Sequence, residues 1–132
     1  MKIKVELNYC EPGETIYFTV DRILQLEQMT KKSISQIVDD NFSMNDLVCC
    51  LVVGTKHHKL RQPPYFVGKI QKALSDGQAF NEICEPVMKA LIGSGILGKK
   101  AVYAMFPELA IDELEKDVDE AIDIKNENPT QE

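Results

Sequence analysis

Phe42-Ser43-Met44-Asn45-Asp46-Leu47-Val48-Cys49-Cys50-Leu51-Val52-Val53-Gly54 is the stretch on which the fold turns. The Ser43 hydroxyl can accept from free N–H groups of a first helical turn. Asp46, three residues on, can return a bond to the Ser43 amide, which is the reciprocal pattern of a capping box. Leu47 to Val53 is then apolar all round, the mark of a helix buried around its full circumference, and Gly54 is a natural residue for its end. This stretch is expected to be the central helix of the body.

Upstream, Ile3, Val5, Leu7 and Tyr9 alternate with Lys2, Lys4, Glu6 and Asn8, and the alternation resumes at Ile16, Phe18 and Val20. Between them Pro12-Gly13 suits the two central positions of a type II turn, so residues 1–20 predict a β-hairpin. Two strands alone are only marginally stable in water, so their apolar face must dock on something else. From Asp21 the period becomes helical: Ile23, Leu24, Leu26 and Met29, then Ile34, Ile37 and Val38, form short amphipathic faces.

Downstream, Thr55 to Gln62 is polar and basic and reads as a loop, closed by Pro63-Pro64 at the first turn of a helix. That helix carries Phe66, Ile70 and Leu74 at four-residue steps and stops at Asp76-Gly77. The cleanest period follows in Phe80, Ile83, Cys84, Val87, Met88, Leu91 and Ile92, with Pro86 inside it predicting a kink or a late start. Gly93-Ser94-Gly95 and Gly98 then break the chain. Ala101 to Phe106 is apolar, and Ala110 to Ile124 predicts one more amphipathic helix. Its outer face is crowded with carboxylates that weaken it unless its apolar stripe is covered.

The chain has 132 residues, 44% apolar and 27% charged, with 21 acidic and 15 basic side chains for a net charge of -6. That is the profile of one folded domain rather than a disordered chain. Residues 1–98 hold 11 acidic and 11 basic side chains and cancel, whereas residues 99–132 hold 10 acidic and 4 basic ones. The expected fold class is therefore mainly α with minor β. Residues 1–98 form a single globular body, with the hairpin at 1–20 and a multi-helix bundle at 21–98. Residues 99–132 form an acidic amphipathic helical arm whose last residues, 125–132, are disordered. A neutral body with an acidic arm lacks the Lys/Arg surplus that binds phosphates, which argues against a nucleic-acid partner. No apolar run is long enough to span a membrane and no signal peptide is present, so no membrane partner and a cytoplasmic location are expected.

Cys10, Cys49, Cys50 and Cys84 show no disulfide framework spacing and are expected as thiols. Cys49-Cys50 with His57-His58 is the one cluster with zinc-ligand chemistry. Adjacent cysteines on a helix point about 100° apart, however, and cannot close a tetrahedral site as C-x-x-C pairs do, so core packing is the expected role. His57 and His58 read as part of a solvated basic loop, no acidic residue or nucleophile implying a catalytic relay. Gly93 to Gly98 follows a helix and lacks G-K-[ST], which leaves helix termination and a turn rather than a phosphate loop. No catalytic residue, cofactor or metal site is expected, and the profile is that of a binding or assembly module.

Four segments carry a resemblance: Val20-Asp21-Arg22-Ile23-Leu24-Gln25-Leu26-Glu27, the helix start Phe42 to Val48, the helix end Val52-Val53-Gly54, and Ala90-Leu91-Ile92-Gly93-Ser94-Gly95-Ile96-Leu97-Gly98. Over residues 15–98 the chain resembles the tail assembly chaperones of long-tailed bacteriophages and prophages. The resemblance implies a non-enzymatic protein of the bacterial cytoplasm that binds the tape measure protein and the tail tube protein during tail assembly. It also implies the short form of a pair whose longer member arises by ribosomal frameshifting, and it leaves self-association open. The apolar stripe of the acidic arm makes Tyr103, Phe106, Ile111 and Leu114 candidate partner contacts. Two other readings compete: a phage structural part such as a head-tail adaptor or tail terminator, and a small metalloprotein using Cys49, Cys50, His57 or His58.

Overall fold

The computed structural model describes residues 3–39 and 41–109, and in it the reciprocal cap at Ser43 is formed. Ser43 Oγ accepts from the Asp46 amide at 3.1 Å and Asp46 Oδ2 accepts from the Ser43 amide at 3.0 Å. The helix it starts, Met44–Gly54, is buried from Asp46 to Gly54. It is α3 of a mainly helical chain with the order β1 (Val5–Glu6), β2 (Thr15–Ile16), α1 (Val20–Thr30), α2 (Ile34–Ile37), α3, α4 (Pro63–Ser75), α5 (Phe80–Gly93) and α6 (Lys99–Met105). Helix α3 packs against α1, α4 and α5, while α5 also carries the hairpin and α6. The mainly α class with a small N-terminal antiparallel hairpin is therefore the observed architecture.

The hairpin pairs Val5 with Ile16 and Glu6 with Thr15. Its turn closes with the Glu14 amide donating to the Glu11 carbonyl at 3.2 Å, and Gly13 takes φ +79°. A type II turn demands that positive φ at its third residue, and glycine adopts it without a Cβ clash. Leu7, Tyr9, Ile16 and Phe18 are buried, as the alternation required. Val20 is not part of it: at 75% exposure it is the first residue of α1.

Gly54 ends α3 for a reason other than the expected one. It is still helical, with Thr55 as the C-cap. A Cβ there would lie 2.4 Å from Ile16 Cγ1 and 2.9 Å from Phe18 Cζ. The glycine gives the hairpin its seat, and the Tyr17 amide then reaches the Gly54 carbonyl at 3.2 Å. Glycine at this position serves close approach rather than conformational freedom.

Several face assignments shift. Leu24 and Met29 are exposed on α1, while Arg22 and Thr30 are buried because their polar ends find carbonyls, Arg22 Nη1 on Gly54 at 3.0 Å and Thr30 Oγ1 on Leu26 at 2.9 Å. On α4 Phe66 and Ile70 point inward as expected, but Ala73 takes the inner position expected of Leu74. Helix α5 starts at Phe80 and runs through Pro86 instead of starting late, its first turn held by Glu82 Oε1 accepting from the Ala79 amide at 2.9 Å. Lys99–Met105 folds back on α5 with Val102 fully buried. The helix expected over Ala110 to Ile124 and the expected disorder of residues 125–132 lie outside the described residues.

Candidate functional site

Helix α4 carries more apolar side chain than the core takes up. Phe66, Ile70 and Ala73 face the interior. Val67 and Leu74, seven residues apart and so on one face, stay out of it. Beside them stands Met44, the first residue of α3, held at the surface because the Ser43 cap starts the helix there. Met44 is 45%, Val67 54% and Leu74 38% exposed, and with Ile70 as floor and Gln71 as rim they line a shallow groove of about 140 Å³. None of these five side chains bears a charge. Such a surface can take an apolar side chain or the apolar face of a helix.

The residues expected to touch a partner lie elsewhere. Tyr103, on α6, and Phe106, just after it, are half-buried. Phe106 closes on the end of α5, where its Cε2 sits 3.4 Å from the place a Gly93 Cβ would occupy, with Ile3 Cβ on the same spot at 3.1 Å. Phe106 thus packs on its own body. Ile111 and Leu114 lie outside the described residues. Met44 and Val67 escaped the sequence reading. Their signal was there: Met44 is the exposed first residue after a cap, and Val67 is offset by one from the Phe66–Ile70–Leu74 row.

The polar clusters are seams that hold the hairpin to the helices. In the first, Arg61 grips Glu14 with both terminal nitrogens, Nη1 to Oε2 at 3.1 Å and Nη2 to Oε1 at 3.0 Å. Its guanidinium lies over the rings of Tyr65 and Phe66 and donates to Thr55 Oγ1 at 3.3 Å. The Tyr65 hydroxyl donates to Glu11 Oε1 at 2.8 Å, and burial together with that carboxylate pushes the phenol up to about 12. Such bidentate pairing fixes geometry as well as charge.

The second seam gathers His57, His58, Arg22, Tyr17 and Thr15, and it replaces the solvated loop expected for the two histidines. The His57 ring lies 4.4 Å from Tyr17 and 4.1 Å from His58. Arg22 stacks on Tyr17 at 3.9 Å and donates to the Tyr17 hydroxyl at 3.0 Å. Burial first, then the charges of His58, Arg22 and Lys4, lowers His57 to about 4.

Cys49 and Cys50 sit inside α3 with the core, while His57 and His58 beyond its end turn to Thr15 and Arg22. The zinc-type cluster read from sequence is therefore not assembled, and among the described residues no group of three or more His, Cys, Asp or Glu converges. Burial pushes Cys10 and Cys84 up to about 11 and raises Cys49 and Cys50 as well. These thiols keep their protons at neutral pH, which makes them poor nucleophiles. Among the described residues no helix is long and apolar enough to cross a membrane. No protein-family model, curated protein or solved structure matches the chain.

Proposed function

We propose that this protein is a non-enzymatic tail assembly chaperone, the short form of its kind, that holds apolar helical segments of a phage tape measure protein in the bacterial cytoplasm until the tail tube protein polymerises around them. The observation that carries this reading is the uncharged groove that gathers Met44, Val67, Ile70, Gln71 and Leu74 on one face. A tape measure protein is a long helical chain with apolar stripes that need cover before assembly. An amphipathic helix engages such a groove through side chains at i, i+3, i+4 and i+7. The resemblance of residues 15–98 to that family supports the same reading. Tyr103 on α6 is a second candidate contact, as are Ile111 and Leu114, which lie outside the described residues.

Co-expression with fragments of a candidate tape measure protein tests the proposal. The native chain is expected to keep the fragment soluble, and the double variant Val67→Asp, Leu74→Asp is expected to lose that effect while its circular dichroism stays native. Equal solubility with both proteins would remove the groove from the argument. Mass spectrometry of purified virions separates this role from that of an adaptor or terminator, since a chaperone is absent from the finished particle.

A further inference from the structure

At the second seam the hydrogen-bond partners dictate the protonation state. A guanidinium has donors only, so His57 Nδ1, 3.0 Å from Arg22 Nη1, must accept. The proton of a neutral His57 then sits on Nε2, which faces Thr15 Oγ1 at 3.2 Å and can donate to it. His58 Nε2 accepts the Thr15 backbone N–H at 2.8 Å, so the proton of a neutral His58 sits on Nδ1. Each imidazole is thus needed as an acceptor, and each loses that capacity on protonation.

The charges around the pair add to the effect. Lys4 precedes β1 and reaches over the Tyr17 ring from 6.0 Å, Arg22 comes from α1, and Lys56 and Lys59 flank the histidines in the chain. Two carboxylates of the described residues stand on this side: Glu14, next to β2, is gripped by Arg61 at the first seam, and Glu6 on β1 is the cross-strand neighbour of Thr15. A further cation at His57 would therefore meet the repulsion of Arg22 and Lys4, with Glu14 already paired to Arg61.

We propose that the contact of Thr15 with the His57–His58 pair is an acid-released latch, which at neutral pH fastens β2 to the end of α3 and on acidification lets the hairpin lift from its seat on Gly54. The lowered value of His57, from 6.5 to about 4, agrees with a fold that requires the neutral ring. The direction follows from linkage. His57 accepts from Arg22 in the closed fold and cannot once protonated, so the opened chain binds the proton more readily, and the seam is fully formed above about pH 6.5 and weakens as pH falls from there toward 4. What lifts is the strand that carries Ile16 and leads into Phe18, so acidification uncovers an apolar surface that neutral pH keeps dry.

Amide exchange followed by NMR on the full chain between pH 7.5 and 4, corrected for the intrinsic pH dependence of exchange, tests the latch. The Thr15 and Tyr17 amides are expected to lose protection on the order of tenfold or more across that range, one such factor for each pH unit of linked protonation. The Leu47 to Val53 amides are expected to keep theirs. The variant His58→Gln supplies an acceptor that does not titrate and is expected to flatten the Thr15 profile. Protection at Thr15 that ignores pH, or that falls together with α3, would overturn the proposal. So would an unchanged profile in His58→Gln. Ring titration of the native protein gives an independent reading: His57 is expected well below 6.5, and an ordinary midpoint there overturns the latch even if the variant does not fold.

Discussion

Helices α3 and α4 are both rich in apolar residues, yet α3 buries nine of its eleven residues and α4 only three of its thirteen. The difference lies in what covers them. Helix α3 is flanked by α1, α4 and α5 and meets the hairpin at Gly54, so every direction is taken. Helix α4 leans on the body with the Phe66, Ile70 and Ala73 stripe and leaves Val67 and Leu74 to water. Apolar content alone therefore does not separate a core helix from a docking helix. What separates them is whether the rest of the chain has an element left to cover the second face, and within the described residues α4 has none over the Val67–Leu74 face.

The strongest way to break the comparison is to give α3 one atom too many. Gly54→Ala places a methyl 2.4 Å from Ile16 Cγ1, 2.8 Å from its Cδ1 and 2.9 Å from Phe18 Cζ, and both of these side chains are fully buried. Overpacking of this kind costs about 1–3 kcal/mol, and here the upper end is expected because the hairpin seat moves as a whole. Chemical denaturation measures it as a lower midpoint with an unchanged slope. A stability equal to that of the native protein would mean that the hairpin is not seated on α3.

The start of α3 is the next target. Ser43→Ala removes the hydroxyl that accepts from the Asp46 amide, and such a loss costs about 1 kcal/mol. Asp46 keeps its bonds to the Ser43 amide at 3.0 Å and to Lys32 Nζ at 2.9 Å, so the cap is weakened rather than abolished. The expected result is a fall in melting temperature smaller than that of Gly54→Ala, with the circular dichroism spectrum retained. A loss larger than that of Gly54→Ala would place the weight of α3 at its capped end rather than in its enclosure.

These two positions also mark how far the sequence could be read. The Ser43–Asp46 cap was legible because both partners lie within one turn, and the apolar run that follows needs no distant information to declare itself buried. Gly54 was legible as a helix end but not as a seat, since the atoms that exclude a side chain there belong to Ile16 and Phe18 in another element. His57 and His58 looked like a solvated loop for the same reason. Nothing near them in the chain names Thr15 or Arg22 as partners. The candidate groove was half legible: Leu74 entered as a core residue of a correct helix, and the one-residue offset that turns it and Val67 outward depends on where α4 rests against α3.

The smallest effect on stability tests the other side of the comparison. If Val67 and Leu74 lie outside the core, Val67→Ser is expected to change stability by no more than about 0.5 kcal/mol and Leu74→Ser, only 38% exposed, by about 1 kcal/mol. The same truncation at a buried position of α3 would cost several times more, so the pair gives the contrast between the helices in one measurement. Leu74, the less exposed of the two, is expected to show the larger change. A loss of 2 kcal/mol or so at either site, on the scale of core truncations, would mean that the groove is occupied in the isolated chain. The region that covers it would then have to come from residues 110–132, and removing that segment would expose it. A near-neutral result leaves Val67 and Leu74 as side chains with no role in the fold, which is the condition a surface kept for a partner has to meet.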